Sequence, residues 1–88
     1  MKIELYSVKD VKANRFTGVV MFPSEAVAIR AFTTAVNQGD SGTLLKEYPE
    51  DAQIFRVGTF DDESGVITGE TVFIKNATEL IIQEKKDV

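Results

Sequence analysis

Apolar and polar residues alternate over residues 2–8, with Ile3 and Leu5 on one side and Lys2 and Glu4 on the other. That period of two predicts a strand. Residues 9–18 are polar and read as a turn or loop, and a short β segment is expected at 19–22. The period then changes. Over residues 24–38, Val27, Ala28, Ala31, Phe32, Ala35 and Val36 share one face at about 100° per residue, the spacing of an amphipathic helix. Ser24 stands at the N-cap after Pro23, and Glu25 complements the helix dipole. Gly39 supplies the stop, in the left-handed conformation that a glycine accepts without penalty. Residues 53–60 are rich in β-branched and aromatic side chains and predict a strand; 61–65 is turn-like, and 66–74 returns as the second arm of a hairpin. Gly69 within that arm marks a bulge or an early break. Asn76 with Glu79 has the form of a capping box, opening a short helix through Leu80, Ile81 and Ile82; a third strand is the competing reading. The fold class is α+β: one domain over residues 1–88, a small antiparallel β-sheet with one main amphipathic helix packed across it and a short C-terminal helix.

A chain of 88 residues has a thin core. Most of its aromatics are needed inside, so Phe16, Phe32, Phe55, Phe60 and Phe73 are expected to fill the core, with Tyr6 and Tyr48 partly exposed. Cysteine is absent, which excludes disulfides, zinc–thiolate sites and thiol nucleophiles. Histidine is absent too, which removes the usual general base and the commonest metal ligand. The expectation is a non-enzyme with no catalytic residue, cofactor or metal. The glycines form neither a P-loop nor a strand–GxGxxG–helix unit. Asp61, Asp62 and Glu63 are consecutive, so they read as a solvated turn rather than a calcium loop. The longest apolar run, Val19 to Phe22, is too short to span a bilayer, and Met1-Lys2-Ile3-Glu4 lacks the apolar region of a secretory signal. A soluble intracellular protein that does not touch membrane is expected.

Charge divides the chain. Residues 1–30 carry five bases against three acids, whereas residues 31–88 carry five against eleven. Phosphate contacts dominate nucleic-acid affinity, so this domain would bind DNA only through a local patch in its basic N-terminal third. The candidates for phosphate are Lys9, Lys12, Arg15 and Arg30, with Tyr6 and Phe16 as stacking partners. Aromatic and basic residues adjoin at Arg15-Phe16 and Phe55-Arg56. A different surface would suit a protein partner: the helix stripe Arg30, Thr33 and Asn37, together with the acidic positions Glu47, Asp51, Asp61 and Asp62.

The string from Ser24 to Phe32, then Ala35-Val36-Asn37, and then the block from Tyr48 to Gly65 follow one pattern, with Gly-Thr-Phe-Asp-Asp after Pro-Glu-Asp its most specific piece. With Leu5-Tyr6-Ser7-Val8 and Phe16, this resembles the small non-structural protein of gokushovirus-type microviruses, over about residues 3–69. The resemblance implies a phage accessory protein acting in the cytoplasm of the infected bacterial host, in single-stranded DNA replication or genome packaging. It brings no catalytic motif. Its partners would be single-stranded DNA or the phage replication protein. Two other readings stand beside it: an acidic protein–protein interaction module with no nucleic-acid binding, and a homodimer paired through exposed sheet edges.

Overall fold

The computed structural model describes residues 1–82. Five strands form one antiparallel sheet: β1 (Lys2–Asp10), β2 (Arg15–Phe16), β3 (Val20–Phe22), β4 (Ala52–Asp61) and β5 (Ile67–Asn76). The order is β2-β1-β4-β5, with β3 pairing beside β2 along the same edge of β1. The main helix α1 (Glu25–Gln38) packs across one face, followed by a single helical turn α2 (Leu44–Glu47) and a 3-10 turn at Pro49–Asp51. The α+β expectation is borne out.

Local chemistry sets the element ends. Ser24 Oγ accepts from the Val27 amide at 3.3 Å, as an N-cap should. The Asn76–Glu79 capping box is present as well. It opens only a 3-10 turn, Ala77–Leu80, and not a helix through Ile82; Ile81 and Ile82 lie beyond it and are exposed. Gly39 ends α1 without turning left-handed, since its φ is −69°. Its value there is close approach: a Cβ would lie 2.3 Å from the Ala35 carbonyl oxygen. Residues 9–18 are not all loop. β1 runs on to Asp10, the chain reverses with Asn14 at φ 54°, and Arg15–Phe16 pairs back as β2. Asp10 Oδ1 closes this turn by accepting from the amides of Lys12 and Ala13.

Register decides which side chains share a face, because successive strand residues point to opposite sides and directly paired residues point to the same side. On the helix side, β1 contributes Glu4, Tyr6, Val8 and Asp10, and β4 contributes Ala52, Ile54, Arg56 and Thr59. Tyr6, Val8, Ala52 and Ile54 pack there against Ala28, Phe32 and Val36 of α1 and against Ala77 and Leu80. Tyr6, Phe22 and Phe32 meet edge to face with centroids 5.6–6.2 Å apart.

Asn37 locks the chain's last described turn onto the helix. Its Nδ2 donates to the carbonyls of Thr33 (2.7 Å) and Leu80 (2.9 Å), and its Oδ1 accepts from the Ile82 amide at 2.9 Å. At roughly 0.5–1.5 kcal/mol net per hydrogen bond, Asn37→Ala is expected to cost about 2 kcal/mol of stability in urea unfolding. Hydrogen exchange should show the Ile82 amide losing protection first. Unchanged protection at that amide would remove the clamp.

Candidate nucleic-acid interface

Among the described residues no helix covers the face of the sheet turned away from α1. By register it carries Ile3, Leu5, Ser7 and Lys9 of β1, Phe16 of β2 and Met21 of β3. The same face continues with Gln53, Phe55, Gly58 and Phe60 of β4, and Ile67, Gly69, Phe73 and Asn76 of β5. Three phenylalanines cross it in line. Phe16 and Phe55 meet edge to face at 5.2 Å between centroids, and Phe55 and Phe73 at 5.6 Å. Ser7 lies under this row on β1, buried, its Oγ donating to the Thr17 carbonyl at 2.9 Å; a side chain this small lets the rings close above it. Phe16 is 46% exposed and Phe73 47%, so these two rings are surface and not core. This corrects the expectation that the phenylalanines fill the interior; of the five, only Phe32 is buried.

The charge of this face differs from that of the chain. Among the residues in paired register positions on it, Lys9 is the sole charged side chain. Its Nζ stands 5.8 Å from the Phe16 ring centroid, in cation–π range. Glu4, Asp10 and Asp61, the acids in paired register positions, project to the helix side. A net charge of −4 therefore does not set the field over the aromatic row.

The candidate residues separate accordingly. Lys9 and Phe16 come together. Tyr6 does not join them: it is fully buried on the helix side, its hydroxyl donating to Glu4 Oε1 at 2.6 Å, and cannot stack on a base. Burial first, then the Glu4 carboxylate, push its phenol well above the ordinary range. Arg15 pairs with Asp10 and so points away from Phe16. Arg56 likewise points away from Phe55 and reaches Glu25 Oε1 at 3.8 Å. Lys12 sits in the β1–β2 turn and lines a hollow of about 360 Å³ with Asp10, Tyr48, Glu50 and Asp51. Arg30 is exposed on α1, across the sheet from the aromatic row.

The partner stripe is also divided. Thr33 and Asn37 are half-buried and spend their side chains inside the domain, Thr33 Oγ1 donating to the Ile29 carbonyl and Asn37 holding Leu80 and Ile82. Only Arg30 of that trio faces solvent. Glu47 Oε1 accepts from the Gly42 amide, and Asp51 closes a 3-10 turn whose carbonyl accepts from the Val11 amide. Asp61 caps the hairpin: the Glu63 amide, then that of Ser64, hold its carboxyl below the usual carboxylate range. Asp62 lies 2.9 Å from the Met1 ammonium. Tyr48 is exposed, as its sequence context suggests. Among the described residues no group of histidine, cysteine, aspartate and glutamate side chains could hold a metal ion, and no helix is long and apolar enough to cross a membrane.

Residues 3–80 match the family described as Phage ORF5 protein. The chain is 37% identical over 67 residues to Protein ORF5 of Chlamydia phage 1, covering 74% of this chain and 70% of that relative. No solved structure matches. The resemblance to a small protein of gokushovirus-type phages is thereby borne out.

Proposed function

The chain belongs to the phage ORF5 protein family, and from that premise we propose that it is a non-enzymatic accessory protein that binds single-stranded DNA during phage genome replication or packaging. One observation carries the reading: an open sheet face with a three-phenylalanine row and a single charge, positive, beside it. Proteins that hold single strands combine aromatic platforms for the bases with cations for the backbone, and every base offers a π-face to such a platform. Duplex DNA keeps its bases stacked on one another and has nothing to lay on these rings. The setting would be the cytoplasm of the infected bacterium.

Fluorescence anisotropy with a labelled single-stranded oligonucleotide, repeated over a range of salt, tests this. Binding is expected at low salt, with affinity falling as salt rises. Lys9→Ala should take about 0.7 off the magnitude of the log–log slope, the amount due to one phosphate contact on a single strand. No binding at low salt, where electrostatic attraction is strongest, would overturn the proposal. The search would then turn to a protein partner for the same face.

A further inference from the structure

Strand β5 is 10 residues long and forms one margin of the sheet, where among the described residues it pairs with β4 alone. The other margin is already occupied, since β2 and β3 both pair with β1 there. The outer amides and carbonyls of a long edge strand are a template for another strand. Chains usually blunt such an edge with proline or with charge of one sign. β5 contains no proline, and its two charges, Glu70 and Lys75, are of opposite sign.

Register fixes where those charges stand. Phe73 pairs with Phe55 on the open face, and Val72 pairs with Arg56 on the helix side. Alternation back along β5 puts Thr71 on the face of Phe73 and Glu70 on that of Val72. In the other direction Ile74 is the extra residue between the Phe55–Phe73 and Ile54–Lys75 pairs, so Lys75 takes the next helix-side position after Val72. Glu70 and Lys75 therefore flank Val72 at one position to either side, on the same face. A two-fold axis through Val72 carries each charge opposite the other, which makes this edge complementary to itself.

We infer that the β5 edge binds a second copy of this chain, antiparallel, with Val72 against its counterpart on the two-fold axis, Glu70 against the partner's Lys75, and Thr71 against the partner's Phe73. Centring the pair on Glu70 would set two carboxylates face to face, which is destabilising. Centring it on Thr71 would leave Glu70 opposite valine and Lys75 opposite Thr68. Only the Val72 register sets opposite charges against each other, and it does so twice. The same axis keeps both helices on one side of a continuous sheet and both aromatic rows on the other. Phe73, 47% exposed in the single chain, then becomes a diagonal neighbour of the partner's Phe73, about 7–8 Å away and within reach of an aromatic ring. The two rows of Phe16, Phe55 and Phe73 join into one. The pairing depends on the edge alone and stands whether or not the open face binds DNA.

Sedimentation velocity over a wide range of protein concentration, with no nucleic acid present, tests the dimer. The wild-type chain should shift from monomer to dimer as concentration rises. Glu70→Lys and Lys75→Glu each replace two opposite-charge pairs with two like-charge pairs, so each should weaken self-association by about tenfold or more while circular dichroism stays that of the wild type. An equimolar mixture of the two variants restores both pairs and should recover the dimer. If either variant fails to fold, cysteine substitution serves instead, because the chain has no cysteine of its own. Val72→Cys should give a disulfide-linked dimer on mild oxidation, and Thr68→Cys, far from its counterpart in this register, should not. A wild-type chain that stays monomeric throughout would overturn the inference. So would a dimer that both charge reversals leave intact, or one that cross-links no better through position 72 than through position 68.

Discussion

The double substitution Phe16→Ala/Phe73→Ala is expected to weaken single-stranded DNA binding by a factor of about 30 or more while the protein stays folded. Stacking of a base on an aromatic side chain contributes about 1–3 kcal/mol, so two rings together contribute at least about 2 kcal/mol. The fold should tolerate the loss because both rings are about half exposed and neither belongs to the core beneath α1. What stability they do supply comes from their edge-to-face contacts with Phe55, at about 0.5–1.5 kcal/mol each. The salt slope should not change, since no phosphate contact is removed. That separates this pair from Lys9, whose removal should act on the slope. Titrations at several salt concentrations, with thermal unfolding of the same variant, measure both quantities. Unaltered affinity in the folded double variant would exclude the aromatic row as the contact. Phe32→Ala is the contrasting case: that ring is buried against Tyr6 and Phe22, and its loss should unfold much of the protein rather than tune binding.

The helix was legible because its signals agree: a serine cap, a first-turn glutamate and six apolar residues on one face. The β4–β5 hairpin was legible for a similar reason, with the acidic turn placed where Asp61 caps it. The aromatic surface was not, and two physical reasons account for it. First, both faces of β4 are apolar in part, so Phe55 gives no alternation to show that it faces away from Ile54. Second, the register of β4 against β1 slips between Leu5 and Tyr6, where Val57 is the extra residue on β4, and that slip flips the parity of everything beyond it. Strict alternation from Phe55 would put Phe60 on the helix side; the bulge returns it to the open face. Adjacent aromatic and basic residues misled in the same way. Arg15-Phe16 and Phe55-Arg56 are neighbours in sequence and stand on opposite sides of a sheet. Lys9 and Phe16, seven positions apart, are the pair that a strand register brings together. Tyr6 was misplaced because a tyrosine is usually partly exposed; here Glu4, two residues back on the same side of β1, accepts a hydrogen bond from its hydroxyl and lets the ring go fully inside.

Gly58→Val is expected to cost about 3 kcal/mol or more, a large part of the stability of so small a domain. At this position the chain does two things that only a glycine allows. Its φ is +156°, and its Cα faces the Thr68 carbonyl so closely that a Cβ would sit 2.3 Å from the oxygen and 3.2 Å from the carbon. Neither neighbour is a flexible side-chain end, so relief would require β5 to move off β4 around the paired positions Gly58–Gly69 and Thr59–Thr68. Among the described residues β5 is an edge strand, held along its length by β4 alone, with no second partner to keep it in register. Its displacement would also part Phe73 from Phe55 and open the row on which the bases are proposed to lie. The same substitution one strand away, Gly69→Val, meets no backbone and should be nearly neutral in urea unfolding. The comparison isolates close backbone approach from strand propensity, because the introduced residue is identical and the two positions are direct partners. Equal unfolding midpoints for the two variants would mean that the β4 bulge relaxes at little cost, and that the slip in register, which sets Phe55 and Phe60 on one face, is not held in place by this glycine.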